Sequence, residues 1–121
     1  MFSPNRRSYG FRQITFNSDR YIITQEEQVN FFFIITSGQV VVSKKSSPDQ
    51  EVVLKILGEG DYFGALPIFF NIPSHVALKA RDQVTCMMMD RQTFQGMVAP
   101  EIKSIERITQ AYYEFIHSVE K

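Results

Sequence analysis

Short β-branched and aromatic runs recur along this chain with polar turns between them, and that spacing limits its fold more tightly than any other feature. Tyr21-Ile-Ile-Thr24 and Phe31-Phe-Phe-Ile-Ile-Thr36 flank the polar turn Gln25 to Asn30. Ser37-Gly38 makes the next turn, and Gln39-Val-Val-Val-Ser43 reads as a third strand. Lys44 to Gln50 has the composition of an exposed hairpin loop, and Glu51 to Leu57 is the strand beyond it. Val76-Ala-Leu-Lys-Ala80 and Val84-Thr-Cys-Met-Met-Met89 follow, separated by Arg81-Asp-Gln83. Strands at such intervals predict a small barrel or sandwich.

The period changes after Met89. Asp90 is an N-cap candidate ahead of a helix of about two turns, marked by Phe94, Met97 and Val98. Pro100 breaks that helix and suits the start of another. From Glu101 to Val119, apolar residues such as Ile105, Ile108, Tyr112 and Phe115 recur at three- and four-residue steps, the stripe of a long amphipathic helix. The expected organisation is a tail, linker or short helix over 1–15, a barrel over 16–90, and C-terminal helices over 91–121. The polar stretch Met1 to Gly10 reads as a solvated tail, and Arg6-Arg7-Ser8 is poorly spaced for a basophilic kinase site.

Composition removes several functional classes. The chain has 121 residues, enough for one domain with its own core. Lys plus Arg balance Asp plus Glu at 13 each, which argues against a nucleic-acid or anionic-membrane surface. One cysteine excludes an internal disulfide and a multi-cysteine zinc site, and fits a reducing, cytoplasmic setting. No apolar run reaches the length of a membrane span. No Gly-x-Gly-x-x-Gly or P-loop occurs, and Asp61-Tyr-Phe-Gly64 is not the kinase Asp-Phe-Gly. Two histidines, both outside the strands, do not furnish a cupin-like metal site. Catalysis and a resident metal are therefore not expected.

The chemistry-bearing stretch is Leu57-Gly-Glu-Gly-Asp-Tyr-Phe-Gly64. It holds three glycines in eight residues, the composition of a turn that needs positive φ or close backbone approach. A glycine-rich turn entering a short helix presents free N–H groups to an anion. Yet Ala65 to Val76 contains no Lys, Arg, Asp or Glu.

These elements, in this order, resemble the cyclic nucleotide-binding domain. Tyr21-Ile-Ile-Thr-Gln25, Phe32-Phe-Ile-Ile-Thr-Ser-Gly-Gln-Val40, Gly60-Asp-Tyr-Phe-Gly64 and Val84 to Phe94 carry the likeness, which spans about Phe16 to Val119. It implies a mainly β fold with C-terminal helices, a β-roll or jelly-roll barrel containing a short cassette helix. The wording of Leu57 to Gly64 is most similar to the domains of cyclic-nucleotide-dependent protein kinases, and the resemblance as a whole points to a cGMP-dependent (or cAMP-dependent) one. The family's phosphate-binding cassette maps onto residues 63–77, with Phe63, Gly64, Ala65, Leu66, Ser74, His75 and Val76 as its site positions. The resemblance puts Ala65 where a Glu grips the ribose 2′-hydroxyl and Ser74 where an Arg pairs with the cyclic phosphate. His75 takes the place of a cGMP-favouring Thr, and Pro67 that of a helix-favouring Ala, so a late or distorted helix start is expected. Asp19, Glu26 and Val29 replace glycines usual in the first barrel turns.

The resemblance thus implies a degenerate regulatory domain of a larger cyclic-nucleotide-dependent kinase. It would bind cAMP or cGMP weakly or not at all and relay motion between neighbouring regulatory and kinase domains of the same chain. The rival readings are a module for a nucleoside or noncyclic nucleotide, and the regulatory domain of a channel or transcription factor. His75 reads either as a ligand-facing imidazole or as a loop histidine. Phe69-Phe70 with Ile72 reads either as a plug filling the pocket or as packing of the short helix. Met87-Met-Met89 reads as core packing with one outward Met, Cys86 as a buried strand residue, and His117 as unfit for a metal site.

Overall fold

The computed structural model describes residues 11–97. The expected helix over 101–119 and His117 lie outside them. Eight strands and two short helices follow in order: β1 Phe11–Phe16, β2 Tyr21–Ile23, β3 Phe31–Ser37, β4 Val40–Ser47, β5 Gln50–Leu57, β6 Tyr62–Phe63, α1 Ala65–Phe70, β7 Ala77–Ala80, β8 Val84–Asp90 and α2 Arg91–Met97. Two four-stranded sheets result, β1-β8-β3-β6 and β2-β7-β4-β5, with every pairing antiparallel. This is the mainly β roll that the resemblance implied, within the barrel-or-sandwich class expected from the strand spacing.

The core lies between the two sheets. Ile35, Val40, Ala80, Val84, Cys86 and Phe94 are almost wholly excluded from water. Aromatic rings join the first sheet: Phe33 stacks on Phe63 at 4.8 Å and meets the edge of Phe16 at 6.1 Å. Such pairs add specificity to the area they bury. Cys86 is a core residue of β8, and burial pushes its thiol up to about 11, so it stays protonated and inert near neutrality.

Two strand bounds differ from the sequence reading. The first strand begins at Phe11, inside the stretch expected to be a tail ending at residue 15, and pairs along its length with β8 from Phe11↔Met89 to Phe16↔Val84. The loop expected from Lys44 to Gln50 is mostly strand, with Lys45 opposite Glu51 and Ser47 opposite Gln50. Opposite charges across a ladder favour pairing even where nothing apolar is buried. Met88 and Met89 are buried and Met87 is half-buried, the core packing with one outward Met that the sequence suggests, although two buried neighbours end the simple alternation of β8. Met89 lies opposite Phe32, whose ring sits 4.9 Å from Phe94 of α2. Asp19 and Glu26 adopt left-handed φ values of 72° and 73°, a conformation that glycine takes without strain.

Candidate ligand pocket

Gly64 starts the site. Its φ of +93° is left-handed, and a Cβ there would stand 2.6 Å from the Phe31 carbonyl oxygen of β3. Only glycine turns the chain this tightly against a neighbouring strand. The chain then enters α1 at Ala65 without a side-chain cap. Pro67 neither delays nor breaks this helix, contrary to the sequence expectation. It occupies the first turn, where an amide hydrogen has no intrahelical acceptor to lose. Ala65, Leu66, Pro67 and Ile68 are buried.

Asn71 ends α1 in the left-handed region at φ 55°, its N–H donating to the Ile68 carbonyl at 3.3 Å. Beyond it the chain is fastened to the turn before β3. Pro73 bridges Gln28, the Ser74 N–H donates to the Glu27 carbonyl at 2.9 Å, and the Glu26 N–H donates to the Ser74 carbonyl at 2.7 Å. Ser74 is 2% exposed. Its hydroxyl donates to the Val76 carbonyl at 2.7 Å and accepts from the Val76 N–H at 3.3 Å. A buried hydroxyl satisfied by its own loop needs no ligand.

Between α1 and the second sheet lies a pocket of about 320 Å³. Phe63, Gly64, Ala65, Leu66, Ser74 and Val76 line it, so six of the site positions mapped from sequence come together. His75 does not join them; it is exposed and outside the lining. Phe69 and Phe70 are 36% and 48% exposed, stacked edge to face, and also absent from the lining. They do not plug the pocket. Ile23, Val42, Leu57 and Leu78 supply its apolar wall from the strands.

Lys55, Asp61 and Tyr62 are the exposed members of the lining, and none of them was among the site positions mapped from sequence. Lys55 sits on a β5 with no clean alternation, so nothing in the sequence told which face it would take. Asp61 is spoken for in part, because its Oδ2 accepts from the Gly58 N–H at 2.7 Å. Lys55 and Asp61 cancel in charge, and the buried end around Ala65 and Ser74 has no cation in the lining. Arg91, close in space to α1, donates instead to the Ile68 and Val29 carbonyls at 3.1 and 3.2 Å. Among the described residues no cluster of three or more His, Cys, Asp or Glu side chains is placed to hold a metal.

The sequence model of the cyclic nucleotide-binding domain matches residues 13–101. Among solved structures, the CBD2 domain of PKAR bound to Sp-2Cl-cAMPS is 26% identical, with a TM-score of 0.79 over 91% of this chain and 72% of that one. The regulatory subunit of a cAMP-independent protein kinase A from Trypanosoma brucei is also 26% identical, with a TM-score of 0.80 over 93% of this chain and 42% of that one. A variant of it, with glutamate to alanine, threonine to arginine and valine to alanine changes, was solved bound to cAMP in the A site. The corresponding Trypanosoma cruzi subunit, solved bound to guanosine, shares the fold at 21% identity and a TM-score of 0.78, covering 91% of this chain and 40% of that one. The chain therefore spans less than half the length of the two trypanosome proteins.

Proposed function

This chain belongs to the cyclic nucleotide-binding domain family, and we propose that within it the domain has kept the scaffold and lost the ligand grip. On this reading it is a regulatory domain of a larger cyclic-nucleotide-dependent protein kinase. The likeness to protein kinase A regulatory structures and the wording of Leu57 to Gly64 support the kinase setting, for which a cGMP-dependent kinase is the first choice and a cAMP-dependent one the second. Its partners are the neighbouring regulatory and kinase domains of the same cytoplasmic chain, between which it relays motion.

One observation carries this reading. Ser74 and Ala65 both line the pocket, the Ser74 hydroxyl already committed to Val76, and these are the two positions that the resemblance assigns to the phosphate-pairing Arg and the ribose-gripping Glu. A cyclic phosphate entering there would lose its water and find no cation. Each missing partner to a charged group costs roughly 1.5–3 kcal/mol. Two such losses exceed about 3 kcal/mol, at least a hundredfold in affinity. Titration calorimetry of the domain with cAMP and with cGMP is expected to show no saturation below high micromolar concentrations. A submicromolar dissociation constant for either overturns the reading.

The neutral buried end favours one second reading, a nucleoside ligand. Such a ligand brings no phosphate to Ser74 and offers polar edges to Lys55, Asp61 and Tyr62. The guanosine in the Trypanosoma cruzi structure supports this chemistry. Saturable stabilisation by guanosine with none by cGMP favours it, and no response to guanosine removes it.

A further inference from the structure

We infer that Arg91 is a positioning residue that fixes the cassette to the start of α2, so that movement of this helix is felt by the pocket without any ligand. The inference rests on the relay reading above and names the link through which it works.

Three strands of evidence converge on this side chain. Its two guanidinium nitrogens reach different elements: one donates to the Ile68 carbonyl near the end of α1, the other to the Val29 carbonyl just before β3. The planar fork of arginine holds two acceptors in a fixed relation, which a lysine ammonium does less well. The Ile68 carbonyl also takes the Asn71 N–H, so Arg91 grips the point where α1 stops. A cation is well placed at the carbonyl end of a helix.

Arg91 is also the first residue of α2, and Asp90 fixes that start by accepting the Thr93 N–H at 2.7 Å. The turn that Arg91 grips at Val29 is itself tied to the far end of the cassette. Glu26 and Glu27 bond the Ser74 backbone, and the Gln28 side-chain amide donates to the Asn71 Oδ1 at 3.3 Å. The exit half of the cassette is therefore held by this one turn, and Arg91 locks the turn and the end of α1 to α2. Every bond in this ring runs from protein to protein.

A loose contact would make α2 and the cassette independent. Coupling through Arg91 makes the response of the cassette to α2 vanish when the guanidinium is removed, a non-additivity that a double-mutant cycle measures. The experiment is amide hydrogen exchange on the whole chain with Arg91→Gln, Arg91→Lys, Asp90→Ala and the Asp90→Ala/Arg91→Gln pair. The β1–β8 amides serve as the control for folding. Arg91→Gln is expected to speed exchange at Asn71, Ile72 and Ser74 roughly tenfold with β1–β8 unchanged, and Arg91→Lys by less. Asp90→Ala, which loosens only the start of α2, is expected to speed the same amides in the parent and to add nothing in the Arg91→Gln background.

If Asp90→Ala leaves the cassette amides unmoved in the parent, or moves them equally in both backgrounds, Arg91 is not the link. Loss of β1–β8 protection in Arg91→Gln overturns the inference as well, since the residue is then a general support of the fold. The nucleotide titrations read the pocket and this cycle reads the link, so either proposal can fall while the other stands.

Discussion

The two ends of the cassette teach different things. At its entry, Gly64 is dictated by the backbone: the chain turns at φ +93° within 2.6 Å of the Phe31 carbonyl, and a side chain there would strike β3. At its exit, Ser74 is held by main-chain bonds to the Glu26-Glu27 turn, which any residue could make. The entry serves folding whether or not a ligand is present. The exit side chain serves folding only through a local bond to Val76, so its place in the family pattern is a matter of ligand chemistry. A domain that stops binding keeps the first and is free to change the second.

The strongest test of that contrast is Gly64→Ala. Left-handed strain and the clash with the Phe31 oxygen are expected to cost about 3 kcal/mol, read as a lower urea midpoint at unchanged slope. A neutral substitution would mean that the entry is not a folding constraint, and the comparison would fail. Next in size is the repair of the exit, Ala65→Glu with Ser74→Arg. The arginine offers a two-point donor to a cyclic phosphate and the glutamate an acceptor to the ribose hydroxyl. Calorimetry is expected to show at least about a tenfold gain in cyclic nucleotide affinity, or about 1.4 kcal/mol, with smaller gains from either change alone. A folded double variant that binds no better than the parent would show that the pocket is closed by shape as well as by charge. The smallest effect sharpens the picture at the turn behind Ser74. Glu26→Gly relieves a left-handed glutamate at φ 73° and is expected to raise stability by roughly 0.5 kcal/mol, the relief being partly offset by the greater freedom of glycine when unfolded. Destabilisation would assign the Glu26 side chain a role that its backbone geometry does not reveal.

Much of this was legible in the residues because the strand runs are β-branched or aromatic and their turns are polar. Asp90 announced itself as the cap of α2, and its carboxylate does accept the Thr93 N–H. The β pattern reads from Phe11 onward, yet with Arg12, Gln13 and Thr15 among its residues the first strand was harder to bound against the segment before the barrel. The β4–β5 hairpin outran its apolar core by several residues for a similar reason, being paired through backbone and charge. The pocket positions followed the cassette order, yet which side chains reach inward did not. Lys55 enters the lining beside a register shift in the β4–β5 ladder, between the pairs Val42↔Lys55 and Ser43↔Val53. Such an irregularity changes which side chains face the core and leaves no clear mark in composition. Phe69 and Phe70 looked like a plug because they are large and apolar. The short α1 spends its inward face on Leu66 and Ile68 and leaves those rings outside.

The pairing of β1 with β8 has a mechanical consequence. Phe11 lies opposite Met89, so residues 11 and 90 stand at the same end of one antiparallel ladder. Tension applied across those two positions does not load the six paired rungs together, as it would if the strands were pulled from opposite ends. It opens them in turn, from Phe11↔Met89 toward Phe16↔Val84, as a zip opens. Each step then has only a bond or two to break, and the first sheet gives way along this seam before the rings of Phe33 and Phe63 part. Strung in a longer polypeptide under load, the domain would act as a soft link that lengthens early along this seam.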